Sequence, residues 1–335
     1  AAITTFGGNF TLVNTGTGSL VFGTAGVAIN MNGDLIIQGG TLNINSGTAT
    51  ISTLNLAGNF NQTAGTITVT GTGVQQLNFT GVGKTYSQAG TFTNTLVNPT
   101  VVLGASLTLN SGYVVPTGRT FAVSGSLFCG TNVISGAGGF TLSNSSNATL
   151  GIGDAGGIAA TGATGNIQTT TRTFGVGANL IYNGTTAQVT GTGLATTWGG
   201  IGTTITINNA AGVSLTQALT LNSNAGVGIV LPNGIFTLGS FNLSIPAVGS
   251  ITTPGTFSST NMIAADGTGQ LIKFIAGGST PAFIYPIGDN TGTPEYSPVT
   301  IGINSSAVGG SIGVRVVNGT PPAPAVSNYL NRYWV

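Results

Sequence analysis

Residues 66–73 read Thr66-Ile67-Thr68-Val69-Thr70-Gly71-Thr72-Gly73. The first five alternate polar and apolar, the two-residue period that puts Ile67 and Val69 on one side of a strand and the threonines on the other. Gly-Thr-Gly then ends the strand at once. The second half of the stretch returns unchanged 120 residues later as Val189-Thr190-Gly191-Thr192-Gly193. Leu107-Thr108-Leu109-Asn110-Ser111 returns as Leu219-Thr220-Leu221-Asn222-Ser223, and Pro116-Thr117-Gly118 is matched by Pro232-Asn233-Gly234. The offsets are 120, 112 and 116 residues in the same order, so related modules at about 60–127 and 180–245 repeat at a spacing of about 115 residues.

Outward from this stretch the same grammar recurs. Thr41-Leu42-Asn43-Ile44-Asn45, Leu77-Asn78-Phe79-Thr80 and Thr204-Ile205-Thr206-Ile207-Asn208 alternate over three to five residues and stop at Gly, Asn or Ser turns. Within a module, Gly-x-Leu-x-Ile, Gly-Thr-Leu-x-Ile and Leu-x-Leu-x-Gly-Asn-Phe return at an irregular period of roughly 20–25 residues, in the range of solenoid repeats. Windows with a 3.6-residue apolar period are absent, and Gly and Thr are poor helix formers. The expectation is an all-β chain: a parallel β-helix (β-solenoid) of short strands. Asn and Thr would form ladders along the stack, while stacked like charges would repel. At about 4.8 Å per coil, some 12 coils would make a rod on the order of 60 Å.

Charge is scarce: six Lys or Arg and five Asp or Glu in 335 residues, or 3% against an average of roughly 25%. Residues 173–265 carry none, whereas six of the 11 charges lie in 266–335. Seven of the 12 prolines fall between Pro281 and Pro324. This shift predicts a solenoid rod over 1–270 and a Pro-richer antiparallel β domain or cap over 271–335, where a cap would cover the strand edges of the last coil.

Composition excludes several function classes. An apolar share of 40%, a mean hydropathy of +0.39 and a net charge of +1 argue against disorder of the whole chain. The cations Lys84, Arg119, Arg172, Lys273, Arg315 and Arg332 are too dispersed for a nucleic-acid stripe or for an anionic membrane surface. Polar residues interrupt every apolar run well before about 18 residues, so no membrane span is expected. An outer-membrane barrel would need strands of about 10 residues and aromatic girdles. No signal-peptide pattern opens the chain, so any such segment is expected to be already removed. Zero His rules out a His-based triad, and the single Cys129 rules out an intrachain disulfide framework.

The remaining chemistry-bearing residues are few. Glycan hydrolysis needs two close carboxylates, and of Asp34, Asp154, Asp266, Asp289 and Glu295 only Asp289 and Glu295 are neighbours in sequence. Calcium around Asp266, Asp289 or Glu295 would use backbone carbonyls too. The default for all five is a solvated loop position, so no catalytic, cofactor or metal residue is assigned. Cys129 follows Leu127-Phe128 and reads as a small buried apolar residue, with a reactive or cross-linking thiol as the alternative. Trp198, Tyr113, Tyr182 and Tyr86 would make a sugar-stacking strip if exposed, but read as core or bend packing. Thr-x-Thr at Thr15, Thr48, Thr66, Thr68, Thr91, Thr93, Thr190 and Thr204 would suggest ice binding if it marked one flat face, and its irregular spacing does not. The tail Asn328–Val335 follows Pro321-Pro322-Ala323-Pro324. Its residues Tyr329, Leu330, Tyr333 and Trp334 are the candidate intersubunit contact by strand pairing, against the plainer reading of a last strand in its own domain.

Several stretches resemble the Gly/Thr/Asn-rich repeats of large adhesin-like surface proteins exported by the type IX secretion system of Bacteroidota. They are Gly33-Asp34-Leu35-Ile36-Ile37 with Gly40-Thr41-Leu42-Asn43-Ile44, Leu56-Ala57-Gly58-Asn59-Phe60, and Ile205-Thr206-Ile207-Asn208-Asn209-Ala210-Ala211-Gly212-Val213. Tyr285-Pro286-Ile287-Gly288-Asp289, Tyr296-Ser297-Pro298-Val299 and Asn331-Arg332-Tyr333-Trp334 are similar to them as well. The resemblance implies a secreted, cell-surface, β-rich protein with no active-site residue to carry over. That family ends in a separate sorting domain, which this sequence lacks, so a processed form or part of a longer protein is expected. The combined expectation is a non-enzymatic extracellular stalk, filament subunit or adhesin that needs no cofactor and associates with itself. Surface glycans are the second partner class. The other readings are a glycan-binding module, a β-helix polysaccharide-acting enzyme, and a phage or pilus-like fibre.

Overall fold

The computed structural model describes residues 4–24, 26–48, 51–278, 280–305, 308–322 and 331–335. Among them every element of regular structure is a strand. The expected all-β solenoid is what the chain forms, with parallel sheets stacked over about 11 turns and small antiparallel sheets near the C-terminus. Two compact units divide it: Ala1–Asp154 with Ala159–Ala178, and Ala155–Ile158 with Asn179–Val335.

In the first unit the first four coils each contribute one strand to each of three faces. The first face stacks Ala28–Met31, Thr53–Leu56, Gln75–Phe79, Val97–Val101 and Thr120–Val123 in parallel. The second stacks Leu35–Ile37, Phe60–Gln62, Lys84–Gln88, Ser106–Leu109 and Ser126–Phe128. The third stacks Leu20–Val21, Thr41–Asn43, Thr66–Thr68 and Thr91–Phe92. The register Asn30↔Asn55↔Asn78↔Thr100↔Ala122 sets the coil at 22–25 residues. Five such coils span the 115-residue offset of the sequence repeat.

The alternation explains the packing. Met31, Leu56, Phe79, Val101 and Val123 occupy one register column and all point inward, buried. Each such side chain contributes roughly 1.5–3 kcal/mol by burial. Aromatic rings continue the stack: Phe60 and Tyr86 lie with centroids 4.7 Å apart, Tyr86 and Tyr113 5.6 Å, Tyr113 and Phe121 5.3 Å. On the outer side of the same strands the polar residues form a ladder. Asn55 Nδ2 donates to Asn30 Oδ1 (2.8 Å) and Asn78 Nδ2 to Asn55 Oδ1 (2.9 Å).

The bends are stacked too. Asp34 N donates to Asn9 Oδ1 (2.9 Å), Asn59 N to Asp34 Oδ1 (2.7 Å) and Thr85 N to Asn59 Oδ1 (3.0 Å). The bends lie so close that a Cβ on Gly58 would come within 2.2 Å of the Gly33 carbonyl oxygen one coil away, which is why this corner is glycine. A further bend is held from inside. Buried Asn45 donates through Nδ2 to Ser52 Oγ (2.8 Å), and Gln75 Oε1 accepts from Ser52 N (2.8 Å).

The second unit repeats the plan. One face stacks Asn179–Tyr182, Thr204–Asn208, Gly228–Asn233 and Ser250–Thr252. Another stacks Gln188–Val189, Val213–Ser214, Phe236–Thr237, Ile263–Ala264 and Ile287–Asp289, and the third Thr197–Trp198, Leu219–Leu221, Leu243–Ile245 and Leu271–Ile275. The antiparallel part begins at Leu271–Ile275. That strand pairs in parallel with Leu243–Ile245 on one edge and antiparallel with Gly310–Val314 on the other. Glu295–Tyr296 returns against Ile287–Asp289, Val299–Ile303 against Thr280–Tyr285, and Arg332–Trp334 against Val316–Asn318. These returns occupy edges that a further parallel coil would otherwise use.

Candidate functional site

The carboxylates fall into two groups. Asp34 and Asp154 hold bends: Asp34 Oδ1 accepts from Asn59, and Asp154 Oδ1 from Gly165 N at 3.2 Å. The other three converge on the antiparallel region. Asp289 and Glu295 are register partners across their two strands. Asp266 lies one coil below, where its Oδ2 accepts from Asn290 N at 2.7 Å. Among the described residues no group of three or more Cys, Asp or Glu side chains comes together as a metal cage.

Beside Glu295 the surface is concave, a cavity of about 400 Å³ lined by Glu295, Ser297, Asn318, Asn331, Arg332 and Trp334 among others. Arg332 forms an ion pair with Glu295 through Nη2, and its Nη1 donates to Ser297 Oγ at 2.6 Å. Trp334 Nε1 donates to the Ser297 carbonyl at 3.0 Å, which fixes the indole while leaving it 42% exposed.

The tail residues Tyr333 and Trp334 belong to Arg332–Trp334, which pairs within its own chain: Tyr333 opposite Val317 and Trp334 opposite Val316. Arg315 and Val335 exchange backbone hydrogen bonds at 2.9 and 3.1 Å. This is the arrangement of a last strand in its own domain. Tyr329 and Leu330 lie outside the described residues.

The four aromatics that could have formed a stacking strip are core residues. Trp198, Tyr86, Tyr113 and Tyr182 are each at most 1% exposed. Burial pushes the tyrosine hydroxyls of Tyr86, Tyr113 and Tyr182 well above their ordinary range, and Tyr182 Oη donates to the Thr190 carbonyl at 2.9 Å. Cys129 is fully buried as expected, and burial pushes its thiol up to about 12. Some of the threonines align along the stack. Of those positions Thr66 and Thr91 are register partners on the third face, in one column with Thr41, and Thr93 N bonds back to the Ile67 carbonyl. Their spacing of 25 residues equals one coil here, so an apparently loose pattern becomes a short array.

Lys273 is the site-region residue that the sequence did not signal. It is 5% exposed, and its Nζ donates to the carbonyls of Pro246 (2.6 Å), Ala247 (2.9 Å) and Gly249 (2.7 Å) while lying 4.9 Å from the Phe283 ring centre. Burial pushes its ammonium below the usual lysine range. Its neighbours in sequence, Ile272 and Phe274, announce only a strand.

No family model matches the chain, no curated protein is found similar to it, and no solved structure matches it. The class is therefore set by the fold: a β-solenoid with an antiparallel C-terminal part.

Proposed function

We propose that this chain is a non-enzymatic, extracellular structural or adhesive module whose work is mechanical. The observation that carries the reading is the pair of side-chain ladders, Asn9–Asp34–Asn59–Thr85 along the bends and Asn30–Asn55–Asn78 along one face. They tie the first four coils to one another with bonds additional to the sheet, so a load along that part of the stack is shared over many weak, parallel contacts. The outward surface is neutral and polar, with little repulsion to oppose side-by-side contact with copies of itself. The resemblance to adhesin-like repeats exported by the type IX system supports the same reading. Electron microscopy of the purified chain, with light scattering of full-length protein and of a form lacking 321–335, tests it. Filaments or regular bundles that depend on the tail support a self-assembling subunit. Particles that stay single at every concentration remove self-assembly and leave an adhesive arm.

The cavity beside Trp334 favours glycan binding as a second reading. An indole face next to an Arg–Glu pair and two Asn side chains offers an apolar platform with planar hydrogen-bonding groups around it. Binding to a panel of immobilised glycans that Trp334→Ala abolishes is the expected result. Binding to no glycan on the panel, or binding that the variant retains, overturns it.

A further inference from the structure

The solenoid stack brings two of the five carboxylates of a charge-poor chain together at its last coil. Asp289 ends Ile287–Asp289, and Asp266 follows Ile263–Ala264, the strand stacked directly against it. The backbone locks the arrangement: Ala265 N donates to the Gly288 carbonyl at 3.2 Å, and Asn290 N to Asp266 Oδ2 at 2.7 Å. Asn318, from the strand that crosses above, adds an amide on the same side.

Asp289 is 1% exposed. Its Oδ1 accepts from Thr291 N at 2.6 Å, and its Oδ2, equally buried, accepts no hydrogen bond. A buried carboxylate oxygen without a donor is costly if it stays unmet. The cations nearby do not meet it. Arg332 is engaged by Glu295 and Ser297, Arg315 donates to the Gly267 carbonyl, and neither forms an ion pair with Asp266 or Asp289. Burial pushes the Asp289 carboxyl up. The hydrogen bonds from Thr291, with Asp266 and Asn318 beside it, outweigh that effect and hold it below the usual carboxylate range.

We propose that Asp289, Asp266 and Asn318 form a binding site for a hard divalent cation, with calcium the ion that suits it. The charged ligands are carboxylate oxygens, the hard donors that calcium prefers, with the Asn318 side-chain amide beside them. Two carboxylates leave the rest of a coordination shell of six to eight to water or carbonyl oxygens. So few charged ligands place the affinity in the weak range of about 10⁻⁴–10⁻³ M, suited to a compartment with millimolar calcium. The ion would pin Val316–Asn318, and through it Arg332–Trp334, onto the last coil.

The test uses the full chain. Isothermal titration with calcium chloride, and thermal unfolding in calcium against EDTA, are measured for wild type, Asp289→Asn, Asp266→Asn and Glu295→Gln. Saturating calcium at about 100 times Kd is expected to raise the wild-type midpoint by about 3–5 °C. Asp289→Asn and Asp266→Asn should each lose that shift, and Glu295→Gln should keep it. If Asp289→Asn does not fold, Asp266→Asn and the wild-type titration still decide. A wild-type midpoint equal in calcium and EDTA with no heat of binding overturns the proposal. So does a midpoint that rises on acidification yet ignores calcium, the signature of two carboxyls sharing a proton. A calcium shift that survives both Asp variants places the ion elsewhere and overturns it too.

Discussion

Asp289 and Glu295 stand directly opposite each other across two antiparallel strands, one carboxylate 1% exposed and the other side chain 53% exposed. The same charge on adjacent positions therefore meets two environments. Glu295 reaches Arg332 at the surface, while Asp289 turns into the end of the stack.

Glu295→Gln should matter little to stability. Its ion pair with Arg332 lies at the surface, where such pairs contribute about 0–1 kcal/mol, and Arg332 keeps its bond to Ser297 Oγ. Urea unfolding should show a loss no larger than about 1 kcal/mol that shrinks further in about 1 M sodium chloride. A loss several times larger would mean that the pair holds the last strand in place.

Lys273→Met should cost far more. Three carbonyls of the Pro246–Gly249 bend lose their common donor, and the methionine cannot replace it. A loss on the order of 3 kcal/mol is expected from urea unfolding, with Lys273→Arg recovering part of it. A neutral Lys273→Met would show that water satisfies the bend instead.

Gly58→Ala and Gly255→Ala separate close approach from general glycine effects. The added methyl carbon at 58 would overlap the Gly33 backbone at 2.2 Å, whereas at 255 it meets nothing within 4 Å. The first change should destabilise by about 1–3 kcal/mol or more, and the second should fall within about 0.5 kcal/mol of wild type. Equal midpoints for the two variants would contradict the stacking of the bends.

Cys129 supplies a pH dependence with a definite sign. In the unfolded chain its thiol ionises near 9, and in the fold near 12, so between these values the native state binds the extra proton. Its contribution to stability is complete below about pH 9 and is lost as pH rises toward 12. The buried hydroxyls of Tyr113 and Tyr182 act in the same direction. The unfolding midpoint should fall with rising pH above about 9, and Cys129→Ala should flatten the early part of that fall. A maleimide reagent should label Cys129 only in denaturant; rapid labelling of the native protein would refute its burial.

Much of this was legible in the chain itself. The period of two in Thr66–Thr70 put Ile67 and Val69 inside, and both are buried. These features are local: alternation, turn residues and composition act over a few neighbours, so the sequence states them directly. Leu271–Ile275 pairs in parallel with Leu243–Ile245 and antiparallel with Gly310–Val314, while Ile287–Asp289 farther along still stacks in parallel on Ile263–Ala264. What only the tertiary structure decided is what stacks on what. The length of each coil carries Asp266 beneath Asn290 and beside Asp289, aligns Thr41 with Thr66 and Thr91, and swings Lys273 under a bend more than 20 residues earlier. Each of those meetings depends on the length of the intervening coil. One residue more or less in a bend shifts the register and turns the side chain to the opposite face.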